Sequence, residues 1–128
     1  MKIVLMSVGK ANEPYVKQGV EEFTKRLNKY FTAEWNIIAT PKNAASLSDN
    51  ELKSQEGKLI LSSLQQDDYL VLLDERGKQF SSPQLANFIQ QRANESAKRL
   101  VFLIGGAFGV SDEIFKRANH VWSLSGLV

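Results

Sequence analysis

The sequence predicts an α/β fold in which a mostly parallel, five-stranded sheet carries helices on both faces. Three mainly apolar runs, residues 2–8, 69–73 and 100–104, indicate strands that are buried on both faces, as in parallel sheets. The segments between them place apolar residues at helical spacing. Because strands and helices alternate along the chain, right-handed crossovers would gather the strands into one sheet of a single domain, residues 1–128.

In the first half of the chain, two predicted strands alternate with two predicted helices. After the strand at 2–8, Asn12 is expected to cap a helix that has Pro14 in its first turn. The apolar face of this helix comprises Tyr15, Val16, Val20, Phe23 and Leu27. A second strand is predicted over 31–39, and residues 48–51 fit a capping box that begins the second helix. The apolar positions of the second helix are Leu52, Leu59, Ile60 and Leu64.

The third strand is predicted to be central and to stop early. Its apolar residues, 69–73, are followed by the charged segment 74–78, which is expected to form a polar loop at the carboxyl edge of the sheet. Ser82 then predicts a helix cap, with Pro83 at the first helical position. The inward face of this third helix comprises Leu85, Phe88 and Ile89.

A glycine turn ends the fourth strand. Gly105 and Gly106 follow residues 100–104, and Ser111 is expected to cap a last helix. The apolar face of that helix comprises Ile114, Phe115 and Ala118. Glycine at position 105 would accept a positive φ and let a ligand approach the backbone, although a tight turn without a ligand is the alternative. The spacing Gly-Gly-x-x-Gly matches neither the dinucleotide fingerprint nor the P-loop.

Three segments are expected to meet at the carboxyl edge of this sheet. They are the segment after Leu73, the segment after Ile104, and the tail after Leu124, which ends a fifth strand predicted over 120–124. Open α/β sheets bind ligands at this edge. The predicted pocket is apolar at the strand ends and rich in backbone donors and acceptors.

Composition excludes several classes of site. The chain has no cysteine and a single histidine, which excludes disulfides, thiolate metal sites and multi-histidine metal sites. Its start does not fit a signal peptide, and no run approaches the ~20 apolar residues of a membrane span. The cytoplasm is therefore the expected compartment. A net charge of +2 neither favours nor excludes a nucleic-acid partner.

Few side chains with obvious chemistry fall at the predicted pocket. His120 is expected at the amino end of the last strand, as a partly exposed residue rather than a catalyst. Asp74 and Glu75 are adjacent, so on an extended chain their side chains point apart and do not pair as acid and base. Arg76 and Lys78 either contact phosphate or solubilise the loop. A pocket of this kind suits a bound cofactor that brings its own reactive group.

Four motifs resemble one bacterial family across the whole chain. They are residues 2–10, residues 72–78 with the serines that follow, residues 102–109, and residues 122–125. Together, in this order and at similar spacings, they resemble the type H large-subunit ribosomal RNA methyltransferases of the SPOUT superfamily. The resemblance implies transfer of a methyl group from S-adenosylmethionine to N3 of a pseudouridine in 23S rRNA. It also implies action on the assembled ribosome as a homodimer, a cofactor held in a trefoil knot, and no metal.

The resemblance also assigns the residues of the cofactor site. Carried onto this sequence, the family's cofactor contacts fall at Leu73, Gly105, Leu124, Ser125, Gly126, Leu127 and Val128. It identifies no catalytic residue and no RNA-binding face. Basic residues that could contact RNA are Lys10, Lys17, Arg26, Arg76 and Lys78.

The family pattern continues beyond the last residue of this sequence. Family members carry a closing helix after the position of Val128, which completes the knot and contributes to the dimer. The sequence is therefore expected to be truncated relative to the family, with an incomplete knot, a weakened dimer and no methyltransferase activity in the 128-residue form. The alternative function is a non-catalytic α/β module that binds a small ligand or a partner.

Overall fold

The computed structural model describes residues 1–9, 14–27, 33–105 and 109–123. Every strand and helix that the sequence predicts is present in this part of the chain. The strands are β1 (Lys2–Val8), β2 (Ala33–Ile38), β3 (Tyr69–Gln79), β4 (Arg99–Ile104) and β5 (His120–Ser123). The helices are α1 (Pro14–Leu27), α2 (Asp49–Ser63), α3 (Ser82–Asn94) and α4 (Asp112–Arg117). The predicted cap at Asn12 and the predicted strand residues Phe31, Thr32 and Leu124 lie outside the described residues.

The strands form one sheet in the order β2-β1-β4-β3-β5. All four ladders between described strands are parallel, which confirms the predicted α/β architecture. The predicted count of five strands is one short, because Gly109 adds a sixth, single-residue bridge outside these five strands. The edge strands are β2 on one side and β5 on the other, and β4 lies at the centre.

Helices cover both faces of the sheet, as predicted. On one face, α1 and α3 bury Phe23, Phe88 and Ile89 against the central strands, and the rings of Phe23 and Phe102 lie 4.8 Å apart. On the other face, α2 and α4 bury Ile60 and Ile114. The apolar runs of β1, β3 and β4 are thus covered on both sides, which explains why they lack the polar alternation of a one-sided sheet.

Capping boxes begin α2 and α3. At α2 the Ser48 hydroxyl accepts from the Glu51 amide at 3.2 Å and the Glu51 carboxylate accepts from the Ser48 amide at 3.3 Å, as predicted. At α3 the predicted cap at Ser82 is wrong by one residue. Ser81 is the cap, because Gln84 stands three residues after it and completes the reciprocal pair, with hydrogen bonds of 3.2 and 2.7 Å.

Helix α2 buries only part of the apolar set that the sequence assigns to it. Ile60 is buried as one of that set, whereas Leu59 is 39% exposed. Glu56 and Gly57 are buried beside Ile60, where α2 packs closely on the start of α4. A Cβ on Gly57 would lie 2.6 Å from the Ser111 hydroxyl oxygen, so the glycine permits this close approach.

The prediction that the third strand ends at Leu73 is wrong. Strand β3 continues to Gln79, and the register against β5 shifts so that Leu73 and Lys78 both pair with Trp122. Residues 74–77 therefore form a bulge rather than a loop. The backbone of β5 lies directly against Gly77, where an added Cβ would meet the Val121 carbonyl oxygen at 2.6 Å and the Trp122 nitrogen at 2.7 Å.

A buried polar network holds the amino edge of the sheet. The Asp68 carboxylate, with 1% of its side chain exposed, accepts hydrogen bonds from the Arg99 guanidinium at 2.9 Å and from the Gln65 amide at 2.8 Å. The Arg117 guanidinium donates to the carbonyl oxygens of Gln65 and Asp68. Asn119 exchanges hydrogen bonds with the backbone of Leu70 at the start of β3. These contacts join α2, β3, β4 and the approach to β5.

Candidate functional site

Two of the three predicted segments lie side by side at the carboxyl edge. Leu73 and Ile104 are the last register pair of the ladder between β3 and β4, so Asp74 and Gly105 lie at the same level just beyond that ladder. Leu73 is 6% exposed and Ile104 is 7% exposed. The predicted proximity of Leu73 and Ile104 at this edge is confirmed, and their buried side chains supply apolar surface there. The third segment, Leu124 to Val128, lies outside the described residues.

Gly105 is needed for packing, and not for an unusual backbone angle. Its φ is not among the positive values, whereas that of Gly109, four residues later, is +84°. Position 105 therefore does not use the positive φ that glycine would accept. A Cβ at Gly105 would lie 2.6 Å from Cγ1 of Val110, a buried and β-branched side chain with little room to turn. Glycine at position 105 therefore leaves space for the Val110 side chain beside the end of β4.

The Arg76 side chain, on the bulge of β3, contacts Asp74 and Phe115. The Arg76 Nε donates to Oδ1 of Asp74 at 2.9 Å, its Nη2 donates to Oδ2 at 3.3 Å, and its backbone amide donates to Oδ1 at 2.9 Å. The Cζ atom of Arg76 lies 4.2 Å from the centre of the Phe115 ring. The arrangement ties the bulge to α4, which follows the glycine segment in the chain.

The environment of Asp74 favours its charged form. Hydrogen bonds from the Arg76 side chain hold the pKa of the Asp74 carboxyl below its ordinary value, against the partial burial that acts to raise it. Asp74 is therefore a carboxylate at neutral pH and a weak acceptor for a proton. Its role in this geometry is to fix the position of Arg76.

Because the pKa of Asp74 is lowered, we expect the stability contributed by its pair with Arg76 to depend on pH. Because the folded-state pKa lies below the unfolded-state pKa, the pair stabilises the fold fully above the ordinary carboxyl range, and the stabilisation is lost as pH falls through the folded-state pKa. Thermal unfolding of the wild type and of Asp74→Asn should show a small gap at neutral pH that closes in acid. A gap that does not change with pH would contradict this assignment.

Three of the basic residues named from the sequence have described side chains. Lys17 is exposed on α1, and Lys78 is exposed on the second part of β3. Arg76 contacts Asp74 and Phe115 at the candidate site. Lys10 lies outside the described residues, as does the side chain of Arg26. The side chain of Glu75 likewise lies outside them.

His120 lies away from the candidate site, as predicted. It is exposed at the first position of β5, and its ring stacks on Tyr69 at 6.0 Å and meets Phe88 edge-on at 5.3 Å. This aromatic group, with Arg92 over the rings of Tyr69 and Phe88, packs α3 against the edge of the sheet. Within the described ranges, no three residues of the ligating types His, Cys, Asp and Glu come close enough together to hold a metal ion.

Sequence reasoning missed the contact between Arg76 and Phe115. The spacing Asp-x-Arg places both side chains on one face of an extended strand, so the ion pair could have been predicted once residues 74–78 were assigned to a strand. No local signal links either residue to Phe115, which lies far along the chain on α4.

Within the described part of the chain, no helix is long and apolar enough to span a bilayer.

Comparisons with known proteins agree on one family. A family model described as a predicted SPOUT methyltransferase matches residues 1–128. The ribosomal RNA large subunit methyltransferase H of Cytophaga hutchinsonii is 46% identical over 125 residues, which cover 98% of this chain and 80% of that protein. The protein of the same name from Christiangramia forsetii is 44% identical with the same coverage, and that from Clostridium botulinum is 38% identical over 94% of this chain and 77% of its own.

Proposed function

Because this chain belongs to the SPOUT methyltransferase family, we propose that it transfers a methyl group from S-adenosylmethionine to N3 of a pseudouridine in large-subunit (23S) ribosomal RNA. The observation that carries the proposal is the junction of Leu73, Ile104 and Gly105 at the carboxyl edge of a parallel sheet. Relatives that share this chain's motifs are named as ribosomal RNA large subunit methyltransferases. A ribosomal substrate implies that the reaction takes place in the cytoplasm.

The described residues fit the adenosyl part of such a cofactor. Adenine requires an apolar slot and hydrogen bonds from backbone groups, and the buried Leu73 and Ile104 supply apolar surface beside backbone that lies beyond the β3–β4 ladder. We assign cofactor contacts to Leu73 and Gly105, together with Leu124, Ser125, Gly126, Leu127 and Val128 of the tail. When bound, the cofactor supplies an electrophilic methyl group, so the chain needs no nucleophile of its own.

The chain's part in the reaction is to bind and to orient. N3 of a pseudouridine must lose its proton and approach the methyl group in line, with the reacting atoms roughly 3–3.5 Å apart. Asp74 does not serve as the base in this proposal, because its carboxylate is engaged by Arg76 and has a lowered pKa. Its contribution is to hold the bulge of β3 in a fixed position at the rim of the site.

A trefoil knot and a homodimer are the finer parts of the proposal. In the family the tail after β5 passes through a loop and helps to form the dimer, and this chain carries the family's motifs up to that tail. Light scattering of the purified protein should give a mass of twice 14.4 kDa at high concentration. A mass of 14.4 kDa at every concentration would contradict the dimer.

A pair of variants tests the placement of the cofactor at Gly105. A single Gly105→Ala change would press its Cβ on Val110, so packing and ligand effects would be mixed. In the double variant Gly105→Val/Val110→Ala the obstructing Cγ1 is removed, and the branched side chain at position 105 extends beyond the space that it leaves, at the strand end where the ligand is proposed to lie. Calorimetry with S-adenosylmethionine should show binding by Val110→Ala and at least about tenfold weaker binding by the double variant. Equal affinities would remove Gly105 from the site.

Transfer of a tritiated methyl group to ribosomes tests the function itself. Purified ribosomes that lack the modification are incubated with labelled S-adenosylmethionine and with either the 128-residue chain or a version extended by a family-type closing segment. The extended version is expected to place the label on a pseudouridine of the large-subunit rRNA. Label in the small subunit, or none in either rRNA, would contradict the proposed substrate. Comparison of the two forms tests the sequence-based expectation about the closing segment.

A further inference from the structure

The guanidinium of Arg76 is fixed in place before any ligand binds. The Asp74 carboxylate engages its Nε and Nη2 edge, and the Phe115 ring lies against its centre at 4.2 Å. An arginine side chain ordinarily carries considerable rotamer freedom, and these contacts have already removed much of it. Even so, 63% of the Arg76 side chain is exposed, compared with 12% for Asp74.

The largely exposed Arg76 side chain lies at the rim of the proposed cofactor site. Arg76 follows Leu73 closely on the bulge of β3, and Phe115 lies on the helix that follows the glycine segment after Ile104. A substrate that approaches the carboxyl edge between these two segments would pass Arg76. The position is therefore suited to contact the RNA and unsuited to contact the buried part of the cofactor.

The charge and the planar shape of the Arg76 guanidinium determine which part of an RNA it would contact. The Asp74 carboxylate at 2.9 Å offsets the positive charge of Arg76, which reduces the attraction for a phosphate group. The guanidinium carbon lies 4.2 Å from the centre of the Phe115 ring, and 63% of the Arg76 side chain is exposed, so a planar group on an aromatic support lies at the surface. Unpaired bases in RNA are commonly stacked on aromatic rings or on arginine planes.

We infer that Arg76, held between Asp74 and Phe115, is a stacking platform for an unpaired base of the RNA substrate. The inference rests on the proposed function, because it takes RNA as the substrate. It assigns Arg76 a contact with the substrate and assigns Asp74 and Phe115 the task of positioning it. A phosphate contact by the same arginine is the competing outcome.

Substitution by lysine separates stacking from a phosphate contact. Arg76→Lys keeps the charge and loses the plane, Phe115→Leu removes the supporting ring, and Lys78→Gln removes an exposed charge from the same strand as a matched control. Each protein is titrated with a single-stranded RNA of the large-subunit target region that carries one 2-aminopurine, and with the same RNA annealed to its complement. Calorimetry with S-adenosylmethionine shows whether each variant still binds the cofactor.

If Arg76 stacks on a base, the variants should differ in their affinity for the single strand and in their quenching of 2-aminopurine. Arg76→Lys should bind the single strand about tenfold more weakly, with an unchanged salt slope and without the quenching of 2-aminopurine that the wild type shows. Phe115→Leu should move in the same direction, whereas Lys78→Gln should leave the quenching of 2-aminopurine as in the wild type. Wild-type affinity and wild-type quenching in Arg76→Lys would overturn the inference in favour of a phosphate contact, because lysine keeps the charge.

The same measurements distinguish a failure of this inference from a failure of the proposed function. If the wild type binds S-adenosylmethionine and the extended version methylates ribosomes, while Arg76→Lys matches the wild type in every RNA titration, the platform is wrong and the function stands. If the wild type binds neither S-adenosylmethionine nor the single-stranded RNA, both are wrong. Equal binding of the single strand and the duplex by the wild type also overturns the platform, because a paired base cannot stack on it.

Discussion

Replacement of Asp68 by alanine is expected to lower the free energy of unfolding by about 3–5 kcal/mol, the range for breaking a buried ion pair. The carboxylate is buried, and its removal leaves the Arg99 guanidinium, only 15% exposed, without its partner at 2.9 Å. The Gln65 amide also loses its acceptor. The measurement is equilibrium unfolding in urea, with Asp68→Asn as a second variant that keeps the shape and loses the charge.

An exposed ion pair provides the control for Asp68. Lys2 and Glu34 lie 3.1 Å apart at the other side of the sheet, with 52% and 56% of their side chains exposed. Glu34→Ala removes a carboxylate from a pair of similar length and should cost about 1 kcal/mol or less, because exposed pairs contribute little. If Asp68→Ala were no more destabilising than Glu34→Ala, the network at the amino edge would not stabilise the fold as described.

Replacement of Gly77 by valine is expected to destabilise the protein by about 3 kcal/mol, at the upper end of the range for over-packed sites. The new Cβ would press on the Val121 oxygen and on the Trp122 nitrogen and Cα, all of which are backbone atoms of β5 within 2.7 Å. Backbone cannot move aside as a side chain can, so β5 would be pushed away from the bulge. Since the proposed cofactor tail follows β5, S-adenosylmethionine affinity should fall as well.

Gly57→Ala is the matched control for Gly77→Val. The Cβ that this change adds would lie 2.6 Å from the Ser111 hydroxyl oxygen, which is the end of a side chain that makes no cap hydrogen bond and can rotate. Within a helix, alanine is also favoured over glycine by about 1 kcal/mol. Gly57→Ala should therefore unfold close to the wild type. Near-wild-type stability in Gly77→Val would show that β5 does not rest on Gly77.

The sequence predicted the elements whose signals are local. Ser48 and Glu51 specify the start of α2 by a reciprocal pair of hydrogen bonds, and the apolar run at 100–104 specifies a strand covered on both sides. The four family motifs identified the superfamily, because they recur in order over the whole chain. Where two serines stand together, at 81 and 82, the position of Gln84 decides which one caps the helix.

The sequence could not predict features that depend on a distant partner. Residues 74–78 have the composition of a loop, and only pairing with β5 makes them a strand with a bulge. The role of Gly105 depends on the Val110 side chain, which returns to the end of β4 after the glycine segment. The platform at Arg76 likewise depends on Phe115, which the fold and not the local sequence brings to it.

Calorimetric titration of the wild-type protein with S-adenosylmethionine tests whether the carboxyl edge of the sheet holds the cofactor. We predict saturable binding with one site per chain, competition by S-adenosylhomocysteine, retained binding in Val110→Ala, and at least about tenfold weaker binding in Gly105→Val/Val110→Ala. A wild-type protein that unfolds cooperatively and yet shows no heat of binding for either ligand would contradict a cofactor site at the carboxyl edge of this sheet.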